Sequence, residues 1–83
     1  MRHYDLFLKN SDDISFEHVI AVLTTVFERV NSLRAEQIAL LTHTTGECQV
    51  TSGKEQNMKV IQTLLEGYNL KTEVRKKSDR FKK

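Results

Sequence analysis

The stretch Tyr4-Asp5-Leu6-Phe7-Leu8-Lys9, continued by Asn10-Ser11-Asp12-Asp13-Ile14-Ser15 and then Phe16-Glu17-His18-Val19-Ile20-Ala21-Val22-Leu23, decides the reading of this chain. In its first six residues Tyr4, Leu6 and Leu8 alternate with Asp5, Phe7 and Lys9, the period-two pattern of a strand with one strongly apolar face. The next six are mostly short polar side chains that bond nearby backbone and favour a turn. Ser15 is placed to cap the element after it. There the period changes. Phe16, Val19, Ile20, Leu23, Val26, Phe27 and Val30 recur at steps of three and four, which predicts a helix of about 15 residues with an apolar stripe on the core. β-Branched residues are frequent in it, so packing rather than intrinsic propensity has to hold it.

Beyond that stretch, Asn31-Ser32 caps a second helix, with Leu33, Gln37, Leu40 and Leu41 on one side and Ala35, Ile38, Ala39 and Thr42 on the other. Apolar over much of its circumference, this helix is expected to be largely covered. His43 to Gly46 ends it, the glycine supplying a turn or a left-handed cap. Glu47 to Thr51 reads as a short strand with Cys48 and Val50 on one face. Ser52-Gly53-Lys54-Glu55 matches a capping box ahead of a third helix striped by Met58, Ile61, Leu64 and Leu65 and ending near Gly67. Leu70, Thr72 and Val74 then alternate with Lys71, Glu73 and Arg75 in a last strand. The order β-α-α-β-α-β, with strands that keep a polar face, implies an α+β fold: a three-stranded antiparallel sheet with three helices packed on one face.

Eighty-three residues bury one core, so the expected organisation is a single domain over residues 3–75 followed by a basic, solvated tail over 76–83. Six of the thirteen basic residues fall between Arg75 and Lys83, and residues 1–74 carry a net charge of −3. A basic terminus on a mildly acidic body is expected to be a solvated tail rather than a nucleic-acid arm, because it has no interleaved aromatics and no recognition-helix pattern. No run approaches the roughly 20 apolar residues that span a bilayer. The N-terminus lacks the apolar stretch of a secretory signal, and the single cysteine, Cys48, permits no internal disulfide; a cytoplasmic location is the expectation.

Catalysis would need His43, an aspartate and Cys48 as nucleophile, but no oxyanion donor or glycine loop is evident and Cys48 is expected to point into the core from a strand. His3, His18, His43 and Cys48 lack the spacing of a metal site, so no cofactor or metal is expected. Taken alone, Asn10 to Asp13 is a helix-leading turn and His43 a helix-end histidine favoured by the dipole.

Taken together, Tyr4 to Asp12, then Phe16 to Leu23, then His43-Thr44-Thr45-Gly46 resemble the ClpS adaptors. Those run as an aromatic-led strand, an Asn-Asp-Asp turn, a helix with Glu-x-Val-x-x-x-Leu and a later His-x-x-Gly. The similarity extends over roughly residues 4–74. It implies a non-enzymatic adaptor that binds the free, bulky hydrophobic or aromatic N-terminal residue of substrate proteins and delivers them to a AAA+ Clp protease. The partner so implied is a ClpA- or ClpC-like N-terminal domain.

By the same resemblance Asn10, Asp12 and His43 hold the α-amino group, and Ile14, Phe16, Val19, Ala39, Thr42 and Leu70 line the pocket for the first side chain. Lys54, Glu55 and Lys59, at the third helix, fall where the family docks its unfoldase. The residue types suit these roles, since an ammonium has three donors, which an amide oxygen, a carboxylate and a neutral imidazole nitrogen accept. Departures from the family pattern are Ala39 for the usual methionine, Thr42 for valine, Phe16 for a gate methionine and Ser11 for a second aspartate. The same element order also occurs in the factor-binding domain of the bacterial ribosomal stalk protein, so a protein-docking module that keeps the fold without N-terminal recognition is the alternative.

Overall fold

Leu6 and Leu8, on the inner face of the first strand, are among the least exposed side chains of the protein, at 0% and 1%. That strand, β1 (Tyr4–Lys9), lies between β2 (Glu47–Gly53) and β3 (Lys71–Lys76) and is antiparallel to both. The computed structural model describes residues 3–76, with α1 (Phe16–Val26), α2 (Ser32–Thr45) and α3 (Glu55–Gly67) in the order expected. Leu23 of α1, Ala35 and Ile38 of α2, and Met58 and Leu65 of α3 close over Leu6 and Leu8 to form the core. Register decides which residues share it. Leu6 pairs with Val74 and Leu8 with Thr72 and Cys48, and the register slips by one residue between Leu6 and Phe7, leaving Val50 unpaired on β2.

Two helix starts use the chemistry their sequences predict. Ser15 accepts from the His18 N–H at 3.1 Å and Asn31 from the Arg34 N–H at 2.9 Å, each satisfying a donor the first turn leaves open. The third does not. Strand pairing claims Ser52 and Gly53 opposite Asp5 and Tyr4, so α3 begins after Lys54 with no side-chain cap, and the capping box does not form. Glu55 still sits in the first turn, where the helix dipole favours a carboxylate.

The first helix is shorter than its stripe. It ends at Val26, and Phe27 turns to extended backbone while its N–H reaches the Leu23 carbonyl at 3.0 Å. Phe27 and Val30 nevertheless pack against the core, so the apolar pattern tracks burial beyond the helix. The second helix is less covered than expected. Ala35, Ile38, Ala39 and Thr42 are buried, whereas Leu33, Leu40 and Leu41 remain 63%, 54% and 50% exposed. Leu64, assigned to the α3 stripe, is likewise exposed. The tail expected beyond Arg75 falls, past Lys76, outside the described residues.

The face of the sheet away from the helices carries a charge network. Lys9 Nζ lies 2.7 Å from Glu47 and 3.4 Å from Glu73, while Arg75 grips Glu47 through both guanidinium arms at 2.9 and 2.5 Å. The guanidinium sits 4.2 Å above the Phe7 ring, so an aromatic patch on the sheet is roofed by ions. Hydrogen bonds from Arg75, then from Lys9, hold the Glu47 carboxyl down at about 2 from its ordinary 4.5.

Two outcomes are expected. Leu23→Ala opens a cavity at a side chain with no exposure and should cost about 2–5 kcal/mol, lowering the melting midpoint by roughly 10 °C or more; a near-native melt would show that α1 is not part of the cooperative core. For Glu47 the folded-state value is depressed, so its contribution is complete above about pH 4.5 and disappears as the pH falls toward about 2. Denaturant midpoints of Glu47→Gln should therefore fall less than wild type over that interval, and parallel curves would contradict the network's role.

Candidate functional site

At its C-terminal end β1 runs out of the sheet into Asn10, whose N–H donates to the Gly46 carbonyl at 2.9 Å. This bond joins two segments far apart in the chain. Gly46 can receive it because α2 ends there in a left-handed conformation (φ +94°), a region a side chain would strain, and its own N–H closes on the Thr42 carbonyl at 2.9 Å. After Asn10 the chain turns tightly. The Ser11 hydroxyl accepts from the Asp13 N–H and the Ser11 carbonyl from the Ile14 N–H, both at 3.4 Å.

A cavity of about 300 Å³ opens between this turn, the start of α1, the last turns of α2 and the entry to β3. Its lining includes every residue expected for binding the α-amino group, Asn10, Asp12 and His43, and every residue expected for the side-chain pocket, Ile14, Phe16, Val19, Ala39, Thr42 and Leu70. Leu8, Lys9, Ser11 and Lys71 line it as well. Ser11 is the position noted above as a departure from the family's second aspartate. Leu8, Lys9 and Lys71 carry no functional signal of their own in the sequence, although they are chain neighbours of expected residues: Lys9 and Lys71 face each other in the β1–β3 register, and Leu8 pairs one step inward.

The polar and apolar parts of the lining are in different states. The side chains of Asn10, Asp12 and His43 are exposed and make no hydrogen bond or ion pair to any described residue, so solvent satisfies them. Ala39 and Thr42, by contrast, are 4% and 5% exposed, and Phe16, at the first position of α1, is 40% exposed. His18 also contributes, indirectly. Its Nε2–H donates to the Tyr68 carbonyl at 2.7 Å, tying the first turn of α1 to the loop that leads into Leu70. That loop is shaped by Asn69 at φ 72°, a left-handed position that asparagine tolerates better than most residues.

Lys54, Glu55 and Lys59 lie elsewhere. Glu55 and Lys59 pair at 3.2 Å on the exposed first turn of α3, beyond Gly53, which faces Tyr4 at the far end of β1 from the cavity. Cys48 is a half-buried strand residue whose thiol is pushed up by burial, against the pull of Arg34. Among the described residues no cluster of three His, Cys, Asp or Glu side chains is placed to hold a metal ion, and no helix is long and apolar enough to cross a membrane.

An α+β domain with a half-polar, half-apolar cavity at the end of its central strand is the class of protein so defined. Residues 1–74 match the family model described as "ATP-dependent Clp protease adaptor protein ClpS", and the chain belongs to that family. Among solved structures, Agrobacterium tumefaciens ClpS2, described as bound to L-phenylalaninamide, superposes with a TM-score of 0.77 at 21% identity, covering 92% of this chain and 98% of that one. At that identity the likeness speaks to the fold. No curated protein matches the chain by sequence.

Asp12→Ala removes an exposed side chain without a described partner and should leave the circular dichroism spectrum unchanged and the stability within about 0.5 kcal/mol of wild type. A loss of several kcal/mol would assign Asp12 to the fold instead of the site.

Proposed function

We propose that this chain is a non-enzymatic cytoplasmic adaptor that captures the free N-terminal residue of substrate proteins and delivers them to a AAA+ Clp protease. The observation that carries this reading is the composition of the cavity: Asn10, Asp12 and His43 at an exposed polar rim, with Ile14, Phe16, Val19, Ala39 and Leu70 forming an apolar wall. An N-terminal residue has the complementary form, an ammonium group two bonds from the start of a side chain. The amide oxygen of Asn10, the carboxylate of Asp12 and a neutral ring nitrogen of His43 accept its three donors, and the Asp12 contact is charge-assisted. The apolar wall then takes a bulky hydrophobic or aromatic side chain out of water.

Family membership supports the adaptor role, and the bound compound in the Agrobacterium structure supports the form of the ligand. Phenylalaninamide carries a free α-amine, a benzyl side chain and an amide in place of the carboxylate, as the first residue of a protein does. The exposed turn bearing Lys54, Glu55 and Lys59 is the proposed docking surface for the N-terminal domain of a ClpA- or ClpC-like unfoldase. It is separated from the cavity by the length of β1, about 20 Å for six residues, so substrate and unfoldase would not compete for space.

Fluorescence polarisation with a labelled peptide beginning in phenylalanine, and its N-acetylated copy, tests the reading. Acetylation removes the charge and two of the three donors, leaving desolvated acceptors unpaired, so affinity should fall at least tenfold, roughly the cost of one unsatisfied charged group. Equal affinity of the two peptides would exclude capture of a free amine and favour a docking module.

A further inference from the structure

Thr42 is the only polar residue buried among the described residues, and it stands in the wall of the cavity. Its hydroxyl hydrogen is already committed, donating to the Ile38 carbonyl one turn back at 2.8 Å. A hydroxyl has one donor and two lone pairs, so what Thr42 has left to offer a ligand is acceptance alone. The other buried or half-buried apolar wall residues, Leu8, Ile14, Val19, Ala39 and Leu70, offer no side-chain polar atom at all. Any hydrogen-bond selectivity exerted deep in the pocket therefore has a single side-chain source.

Ala39 lies three residues earlier on the same buried face of α2 and presents only a methyl group to the cavity. A small residue beside Thr42 lets the wall recede there, and the cavity volume of about 300 Å³ is at the lower end of what small-molecule pockets hold. A leucine side chain would leave part of that space without contacts. A phenyl ring fills more of it but takes water from the Thr42 oxygen and returns no donor. A phenol or an indole returns one.

We propose that Thr42 and the space opened by Ala39 make this pocket selective for N-terminal side chains whose ring carries its own hydrogen-bond donor, tyrosine and tryptophan, over phenylalanine and leucine. The inference rests on the reading that the cavity takes a free N-terminal residue and names which residues it takes. Thr42 is on this view a specificity-determining residue, acting on the side chain and not on the α-amine.

Four peptides that differ only at their first residue, Tyr, Trp, Phe or Leu, together with an N-acetylated Tyr peptide, measured by fluorescence polarisation against wild type, Thr42→Val and Thr42→Ser, decide the matter. Tyr and Trp should bind about two- to tenfold tighter than Phe, the worth of one neutral hydrogen bond, with Leu weakest. Thr42→Val, which keeps the shape and removes the hydroxyl, should bring the Tyr-to-Phe ratio to about one; Thr42→Ser should preserve the ratio. Phe binding wild type as tightly as Tyr, or a Tyr preference that survives Thr42→Val, overturns the inference and leaves the adaptor reading standing. Acetylated and free Tyr peptides binding alike, or no peptide binding, removes the adaptor reading and this inference with it.

Discussion

The hydrogen bond from the Asn10 N–H to the Gly46 carbonyl is the constraint on which the site depends. It fixes the end of the central strand to the end of α2, and so brings the turn bearing Asn10 and Asp12 against the last helical turns bearing Ala39, Thr42 and His43. Neither partner could find the other by local preference, since 36 positions of chain separate them. The sheet brings them together. Lys9, just before Asn10, pairs with Glu47, just after Gly46, so the β1–β2 ladder carries Asn10 to Gly46 as its next rung. Gly46 turns the chain from helix to strand within one residue, which is why its left-handed conformation matters to the cavity as well as to the cap.

The same end of the sheet is held from the opposite face by ions. Lys9 lies under the cavity rim, and its ammonium is engaged by Glu47 and Glu73, whose hydrogen bonds raise its pKa. A cation within about 10 Å of the proposed ammonium site would repel its ligand, and two carboxylates beside that cation cancel most of its field. Arg75 joins the two edge strands by gripping Glu47 of β2 from β3 across Phe7, so the network resists splaying of the strands that deliver Asn10 and Lys71 to the cavity. Exposed ion pairs contribute modestly to stability one at a time, and here four charges and an aromatic ring share one geometry.

The elements are legible in the sequence where local chemistry and burial agree. The alternation of Tyr4, Leu6 and Leu8 gives β1 its inner face, and Ser15 and Asn31 cap the helices that begin just after them. They are not legible where tertiary pairing overrides a local signal: Ser52-Gly53-Lys54-Glu55 has the letters of a capping box, but β2 extends through Gly53 because Tyr4 and Asp5 are there to pair with it. Likewise the stripe through Phe27 and Val30 records burial, which a turn satisfies as well as a helix. For the site the balance differs. Asn10, Asp12 and His43 each have an ordinary local reading, and only the resemblance to ClpS sequences marks them as a set. Leu8, Lys9 and Lys71 go unmarked because membership of the lining depends on the β1–β3 register, which a single sequence does not display.

A small domain has little stability to spare for polar groups without partners, and this one places three together at a cavity mouth. The arrangement is tolerable because Asn10, Asp12 and His43 are exposed, so solvent satisfies them in the free protein and their desolvation is deferred until something binds. On the proposed reading, that deferral is also what makes the rim selective. A ligand that covers it must replace the water it displaces, donor for donor, and an ammonium does so where an amide or an alkyl group does not. Thr42 solves the problem in the other way: its hydroxyl is buried from the start and pre-paired to Ile38, so it leaves the fold no unsatisfied donor and, on the proposed reading, keeps its lone pairs for the ligand. Rim and wall thus hold polar groups at opposite ends of the same rule, that a buried polar atom must be paired, and α2 supplies both kinds within two adjacent residues, Thr42 and His43.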